Sequence, residues 1–183
     1  MNKVVAIVGM CGSGKSVASS FFEEKGYEII YFGKLTLEKL KEEGLEINPE
    51  NEKYMKKHLR DVYGPGAYAS ISIDKIKESL KTSNVVIDGL YSWSEFTILK
   101  EEFKDIILIG IITDKNHRYD RLSNREIRPF TKEESLERDI FEIENIEKGG
   151  PIAFADYYIF NNETKKEYED KLQEIYNTIE KRS

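Results

Sequence analysis

The fold is decided by Val4-Val5-Ala6-Ile7-Val8-Gly9-Met10-Cys11-Gly12-Ser13-Gly14-Lys15-Ser16, near the N-terminus. Its first five residues are apolar without interruption, which is typical of a parallel strand covered on both faces. The next eight have the pattern G-x-x-x-x-G-K-[ST], and a predicted helix runs from near Lys15 through Phe21 and Phe22 to Gly26. Strand, glycine loop and helix in this order predict a P-loop, the phosphate-binding element of many nucleotide-binding proteins.

Each residue type in this loop has a physical task. The glycines let backbone N–H groups converge on phosphate oxygens, and the start of the helix adds the positive end of its dipole. Lys15 is expected to place a point charge on the β and γ phosphates, while Ser16 supplies a hydroxyl ligand for Mg²⁺. The alternative is a glycine turn with an exposed lysine, which leaves the preceding strand and following helix unexplained. The predicted nucleotide-binding residues of the loop are Gly9, Cys11, Gly12, Ser13, Gly14, Lys15, Ser16 and Val17.

Bulk properties narrow the class of protein. A chain of 183 residues that is 39% hydrophobic predicts one folded domain, 1–183. Its net charge of −6 argues against nucleic acid as a partner, because binding that backbone needs a basic surface. Apolar runs fall short of the roughly 18 residues that span a bilayer, so we expect no membrane partner. The lone cysteine, Cys11, and the lack of a signal peptide favour the cytoplasm; the oligomeric state stays open.

Apolar runs and helical patterns alternate along the rest of the chain. Further strands are predicted at 28–32, 85–87, 106–112 and 157–160, and almost all of the fifty residues between the second and third strands have a helical pattern. This alternation predicts an α/β protein of three layers, with a five-stranded parallel sheet between helices. Ligands of such sheets bind at the carboxyl ends of the strands.

An aspartate, Asp88, ends the third strand at that same edge and is followed by Gly89. P-loop proteins place an acid here, near the magnesium ion. Asp88 is therefore predicted to hold Mg²⁺ or to accept a proton from a substrate hydroxyl, and the sequence does not separate these roles. The remaining interpretation is an Asp-Gly turn without a chemical role.

Arginines are concentrated between the fourth and fifth strands. Guanidinium groups bind phosphate oxygens in a bidentate manner and stabilise a phosphoryl group in transfer. Such a segment predicts a mobile lid, and the alternative is a solvated helix face paired with nearby glutamates. The arginines are Arg118, Arg121, Arg125, Arg128 and Arg138.

With these features and the later Ala155-Asp156-Tyr157-Tyr158-Ile159-Phe160-Asn161, the chain resembles the dephospho-CoA kinase-like P-loop kinases over essentially its whole length. That family is similar to the nucleoside monophosphate kinases. The resemblance implies an acceptor-binding helical region at 33–82 and a lid at 115–150. It implies ATP and Mg²⁺ as cofactors held by Lys15 and Ser16, with Asn161 near the adenine. Among the lid arginines, it implies that Arg125 and Arg138 contact the phosphates. Arg121 is also predicted to be a cofactor-binding residue.

One stretch departs from this family. Dephospho-CoA kinases usually carry an acid just after the second strand, thought to receive the proton of the acceptor hydroxyl, and this chain has Tyr31-Phe32-Gly33-Lys34 there. The identity of the general base and of the acceptor therefore stays open.

The leading hypothesis is an ATP- and Mg²⁺-dependent kinase that phosphorylates a nucleotide or nucleotide-like small molecule, with dephospho-CoA among the candidates. Its predicted catalytic residues are Lys15, Asp88, Arg125 and Arg138, with Ser16 and Asp88 as metal ligands, and Arg60 or Lys57 would bind an acceptor phosphate. A switch GTPase would need an Asn-Lys-x-Asp element, which 113–116 does not supply. A regulatory NTPase without acceptor turnover is the alternative that the missing acid favours.

Overall fold

The computed structural model describes residues 2–182 and contains a five-stranded parallel sheet in the order β2-β3-β1-β4-β5. Pairing is parallel throughout, with Val5 of β1 opposite Val86 of β3 on one side and Ile107 of β4 on the other. The predicted α/β class and sheet are therefore confirmed. The strands are β1 (Val4–Val8), β2 (Glu28–Tyr31), β3 (Val85–Asp88), β4 (Ile107–Ile112) and β5 (Tyr157–Phe160).

Helices cover both faces of this sheet. One face packs against a core that includes Phe32, Leu40 and Met55, and the other against a core that includes Phe22 and Leu172. No helix within residues 2–182 has the length and apolar character needed to cross a membrane. The helices are α1 (Lys15–Glu24), α2 (Phe32–Glu42), α3 (Pro49–Tyr63), α4 (Ala67–Ser79), α5 (Trp93–Glu102), α6 (Lys115–Ser123), α7 (Lys132–Ile146), α8 (Gly149–Ala153) and α9 (Lys165–Glu180).

The second strand is shorter than predicted. It ends at Tyr31, and Phe32 already belongs to α2 instead of the strand. Phe32 is 1% exposed and packs in the core between sheet and helices, so its apolar character reflects burial and does not distinguish strand from helix. Tyr31 thereby becomes the last residue of the strand, beside Asp88 of β3.

The arginine-rich segment also differs from its prediction. The spacing of Arg118, Arg121 and Arg125 predicts a helix that continues to Pro129. Helix α6 instead ends at Ser123, so Arg125 lies in the connection to α7. The Ser123 hydroxyl and the Asn124 amide both donate to the carbonyl of Asp120, and such side chains compete with the helical hydrogen bonds of the backbone. The sequence Gly149-Gly150-Pro151 predicts the end of the following helix, but α7 already ends at Ile146 and these residues start the short helix α8.

Candidate active site

Three glycines give the P-loop its path. Gly9, Gly12 and Gly14 have φ angles of 153°, 81° and 101°, which side chains of L-residues rarely allow. A Cβ atom on Gly14 would lie 2.3 Å from the amide nitrogen of Asn161. Close packing of the loop on the end of β5 therefore requires glycine at this position.

The carbonyl groups of the loop are bound from the protein side. Asn161 Nδ2 and Thr113 Oγ1 donate to the Ser13 carbonyl at 2.8 Å and 3.0 Å, and the Tyr168 hydroxyl donates to the Gly14 carbonyl at 3.0 Å. In a trans peptide the carbonyl and the next N–H point in opposite directions. Holding these carbonyls inward therefore turns the N–H groups of Gly14 and Lys15 outward, where phosphate oxygens would meet them.

Asn161 supports the loop, and its place near the adenine stays a prediction. It is 6% exposed, and its amide is used in the hydrogen bond to the loop. Ser13 is fully buried, so it too supports the loop from beneath. Arg121 donates to the Asn161 carbonyl at 2.9 Å and still lines the cleft described below.

Arg118 is used within the structure and is not free to bind phosphate. Its guanidinium forms a bidentate pair with Asp139 of α7 at 2.9 Å and 2.6 Å, and it also donates to the Cys11 carbonyl at 3.0 Å. The side chains of Arg118 and Asp139 are 8% and 10% exposed. This buried pair joins α6, α7 and the P-loop.

Changing Asp139 to Asn is expected to lower the free energy of unfolding by about 3 kcal/mol, because it leaves a buried guanidinium without its counter-charge. Chemical denaturation measures this loss. Asp120→Asn is the matched control, since Asp120 is 60% exposed and pairs with Lys132 only at 3.7 Å. Equal stability of the two variants would contradict a structural role for the Arg118 pair.

Lys15 and Asp88 lie in the same cleft, beside the loop. The Lys15 ammonium donates to the Met10 carbonyl at 3.0 Å. Burial, and then the nearby charge of Lys148, lower the pKa of Lys15 to about 8, while the charges of Glu142 and Asp88 act in the opposite direction. Burial raises the pKa of Asp88, and the charge of Lys15 partly opposes that rise. Each group thus contributes to the electrostatic environment of the other.

The cleft has a volume of about 1210 Å³ and extends from the P-loop to helices α2, α3 and α4. At the loop end it is lined by Cys11, Gly12, Gly14, Lys15, Ser16 and Val17. At the far end it is lined mainly by apolar and aromatic side chains. The charged residues Glu52, Lys56 and Arg60 also line this end. Four arginines of the α6–α7 segment also line it: Arg121, Arg125, Arg128 and Arg138.

Arg60 and Lys57, the two cations predicted to bind an acceptor phosphate, have different surroundings in the structure. Arg60 lines the cleft, and its guanidinium lies over the ring of Tyr68 at 5.2 Å. Lys57 is absent from the described lining and pairs with Asp61 on the outer face of α3 at 2.6 Å. A contact across the cleft connects Arg128 with Glu52 of α3 at 3.2 Å. Only Arg60 of the two is therefore placed to meet a ligand.

Sequence reasoning missed two residues of the cleft wall, Tyr31 and Glu142, and the buried Lys148 that contacts Glu142. Tyr31, at the end of β2, fills the position where the resemblance implies an acid, and its ring lies so close to Gly33 that a Cβ there would be 2.4 Å away. Glu142 binds Arg138 at 3.1 Å and Lys148 at 2.5 Å. The spacing of Arg138 and Glu142, four residues apart on a helix, was a usable signal for their pair. Lys148 had no such signal, since its position depends on a turn.

The oxygen donors present fit a magnesium ion. Mg²⁺ prefers a few oxygen ligands from the protein and keeps several waters. The Ser16 hydroxyl, on an exposed residue at the start of α1, and the Asp88 carboxylate both line the cleft next to Lys15. The sequence-predicted metal residues are thus brought to one end of the cleft.

Comparison with known proteins agrees with this architecture. A family model described as an AAA domain matches residues 5–146. A UPF0200 protein of Thermococcus kodakarensis is 34% identical over 181 residues, covering 96% of this chain and 97% of that protein.

Among solved structures, TT1252 from Thermus thermophilus aligns with a TM-score of 0.66 at 15% identity, covering 97% of each chain. Shikimate kinase from Bacteroides thetaiotaomicron aligns with a TM-score of 0.61 at 13% identity, covering 97% of this chain and 98% of that one. Identities this low show a shared fold alone. The family is shown by the matched model and by the relative that aligns along almost the whole length: the chain belongs to the AAA domain family and to the UPF0200 proteins.

Proposed function

We propose that the protein is an ATP- and Mg²⁺-dependent kinase that transfers the γ-phosphoryl group to a small, nucleotide-like acceptor, with dephospho-CoA among the candidates. The observation that carries this proposal is the shared cleft, in which Lys15 and Asp88 face arginines of the α6–α7 segment. A fold in common with shikimate kinase supports the reaction class. Phosphoryl transfer needs mainly positioning and charge neutralisation, and these residue types supply both.

At the donor end, the N–H groups of the P-loop and Lys15 would bind the phosphates of ATP. Ser16 and Asp88 would hold Mg²⁺, which when bound neutralises charge on the phosphate oxygens. Arg125 and Arg138 belong to a proposed lid at 115–150 and would stabilise the transferring group. In the apo cleft Arg125 is an exposed residue outside any helix, which suits a side chain that moves on closure.

At the acceptor end, the proposed binding region is the helical part of the chain at 33–82. Arg60 would bind an acidic group of the acceptor, and the aromatic wall around Tyr68 would cover its apolar part. Because 31–34 contains no acid, Asp88 is our candidate for receiving the proton of the acceptor hydroxyl. Burial raises the pKa of Asp88, which makes its carboxylate a better base than an ordinary aspartate.

A panel of acceptors tests the proposal. Labelled ATP and Mg²⁺ are incubated with dephospho-CoA and with the common nucleoside monophosphates, and the products are separated by chromatography. We expect label in one class of acceptor, and only when Mg²⁺ is present. Tight ATP binding without label in any acceptor would instead support a regulatory NTPase.

The low pKa of Lys15 predicts a pH dependence of nucleotide binding. Because this pKa is about 8 in the free protein, the ammonium charge is present below pH 8 and is lost above it. We therefore expect the Kd for ATP to rise by up to about tenfold per pH unit above pH 8, as the loss of one bound proton requires. Calorimetric titrations between pH 7 and pH 9.5 measure this dependence. A Kd that stays constant over this range would contradict a phosphate contact by Lys15.

A further inference from the structure

Three charged side chains meet at the wall of the cleft beside the P-loop. Glu142 accepts a hydrogen bond from Arg138 Nε at 3.1 Å through one carboxylate oxygen and from Lys148 Nζ at 2.5 Å through the other. Lys148 and Glu142 are 2% and 3% exposed, whereas the side chain of Arg138 is 44% exposed. A single carboxylate thus links a fully buried lysine to an arginine that extends into the cleft.

An unusual turn brings Lys148 to this carboxylate. Helix α7 ends at Ile146, and Glu147 then adopts a left-handed conformation with φ of 55°. The N–H of Lys148 donates back to the Glu142 carbonyl, six residues earlier, at 3.1 Å and closes a turn at the C-terminus of the helix. Such turns usually have glycine at the left-handed position, and another residue costs about 1 kcal/mol there. The turn carries this cost in free energy, and it places the Lys148 side chain against Glu142 of α7.

Lys148 also influences the phosphate-binding end without being accessible itself. Its ammonium lies 4.7 Å from the centre of the Tyr91 ring, and that ring lines the cleft. The charge of Lys148 is the second cause, after burial, of the lowered pKa of Lys15, so the two ammonium groups are electrostatically close. Lys148 therefore acts on the site through space and through Glu142.

Stability does not account for this arrangement. Buried ion pairs contribute little net stability, because desolvation of the charges offsets their attraction. A buried carboxylate next to a phosphate site would also repel a polyanion unless a cation compensates for it. Lys148 supplies that compensation and leaves Arg138 directed toward the cleft.

We propose that Lys148 is a positioning residue of the phosphate site: it neutralises and fixes Glu142, which in turn orients Arg138 toward the γ-phosphate. This inference rests on the proposed function, because it assigns Arg138 to ATP. Arg138 would then contribute to the binding of ATP more than to the binding of ADP, which lacks that phosphate. A merely structural lysine would affect both nucleotides alike.

The test compares MgATP and MgADP binding by calorimetry in Lys148→Met. We expect the Kd for ATP to increase about tenfold and that for ADP by less than about threefold, the size of effect that a charged hydrogen bond provides. Lys132→Met, at the start of α7, is the matched control, since its side chain is 71% exposed. It should change neither Kd.

A double variant, Lys148→Met with Glu142→Gln, separates the proposed mechanism from a general loss of packing. It restores the net charge of the site, so we expect the Kd for ATP to return to within about threefold of wild type. An unchanged preference for ATP over ADP in Lys148→Met, or a double variant whose loss is the sum of the two single losses, would overturn the proposal.

Circular dichroism establishes whether Lys148→Met folds. If it does not, Arg138→Lys provides the test, because Arg138 is partly exposed. This variant keeps the charge but removes the Nε donor to Glu142. We expect the preference of this variant for ATP over ADP to be about tenfold lower than that of the wild type. A wild-type preference would refute the orienting role. Binding needs no acceptor, so a wild-type protein that phosphorylates nothing would refute the kinase proposal and leave this comparison intact.

Discussion

Lys15→Ala is expected to lower the rate of phosphoryl transfer by about a thousandfold or more, the cost of removing a charge aimed at the transferring group. Lys15 is the cation of the P-loop pattern, and its ammonium donates only to the Met10 carbonyl among the residues described, 2–182. It is therefore available to phosphate oxygens in the free protein. Turnover of the acceptor identified in the panel, and the Kd for ATP, measure the loss.

The fold should survive this change. The pKa of Lys15 in the folded protein, about 8, is below the usual 10.5. The charged Lys15 therefore lowers the free energy of unfolding, and this effect is fully present at every pH below 8. Removing it should leave the melting temperature at pH 7 unchanged or higher. Lys53→Ala, at an exposed position of α3, is the control and should keep full activity. Near wild-type turnover in Lys15→Ala would show that the P-loop has no role in the reaction.

The sequence was sufficient for the sheet because its signals are local and strong. Runs without a polar residue identified β1 and β4. Capping-box spacing at Ser92 and Thr131 is a local sequence signal for the starts of α5 and α7, where the structure has both boxes. Asn48 caps α3 through its side chain, and the Asn48-Pro49 pair is itself a sequence signal for a helix start. These features depend on neighbours within four residues, so they are visible without the fold.

The roles that the sequence did not reveal depend on contacts that are distant in the chain. Asn161 matched a family pattern, but its hydrogen bond to Ser13, 148 residues away, was not visible in the sequence. Arg118 was indistinguishable from Arg121 in sequence until α7 brought Asp139 to it. Lys148 could not be found because its position depends on the left-handed turn at Glu147, where no glycine marks the turn. Tertiary packing therefore decides which charged residues support the site and which remain free.

Asp88→Asn is expected to lower turnover by about 10²- to 10⁴-fold, which is the usual contribution of a general base, while the Kd for ATP changes by less than about threefold. Asp88 ends β3 beside Tyr31 and within electrostatic reach of Lys15. Asparagine keeps the size of the side chain and its place at the sheet edge, so the loss would report on the carboxylate alone. Asp105→Asn, at an exposed position just before β4, is the control.

Two further measurements separate the possible roles of Asp88. If it holds Mg²⁺, a higher magnesium concentration should restore part of the lost rate. If it accepts the proton, the wild-type rate should fall on the acid side at a pH above the usual aspartate range, because burial raises the pKa of Asp88 and the base is lost on protonation. That acid limb should be absent in Asp88→Asn. An unchanged rate in this variant would leave Asp88 with the Asp-Gly turn as its only role, and the base would then have to come from the acceptor side of the cleft.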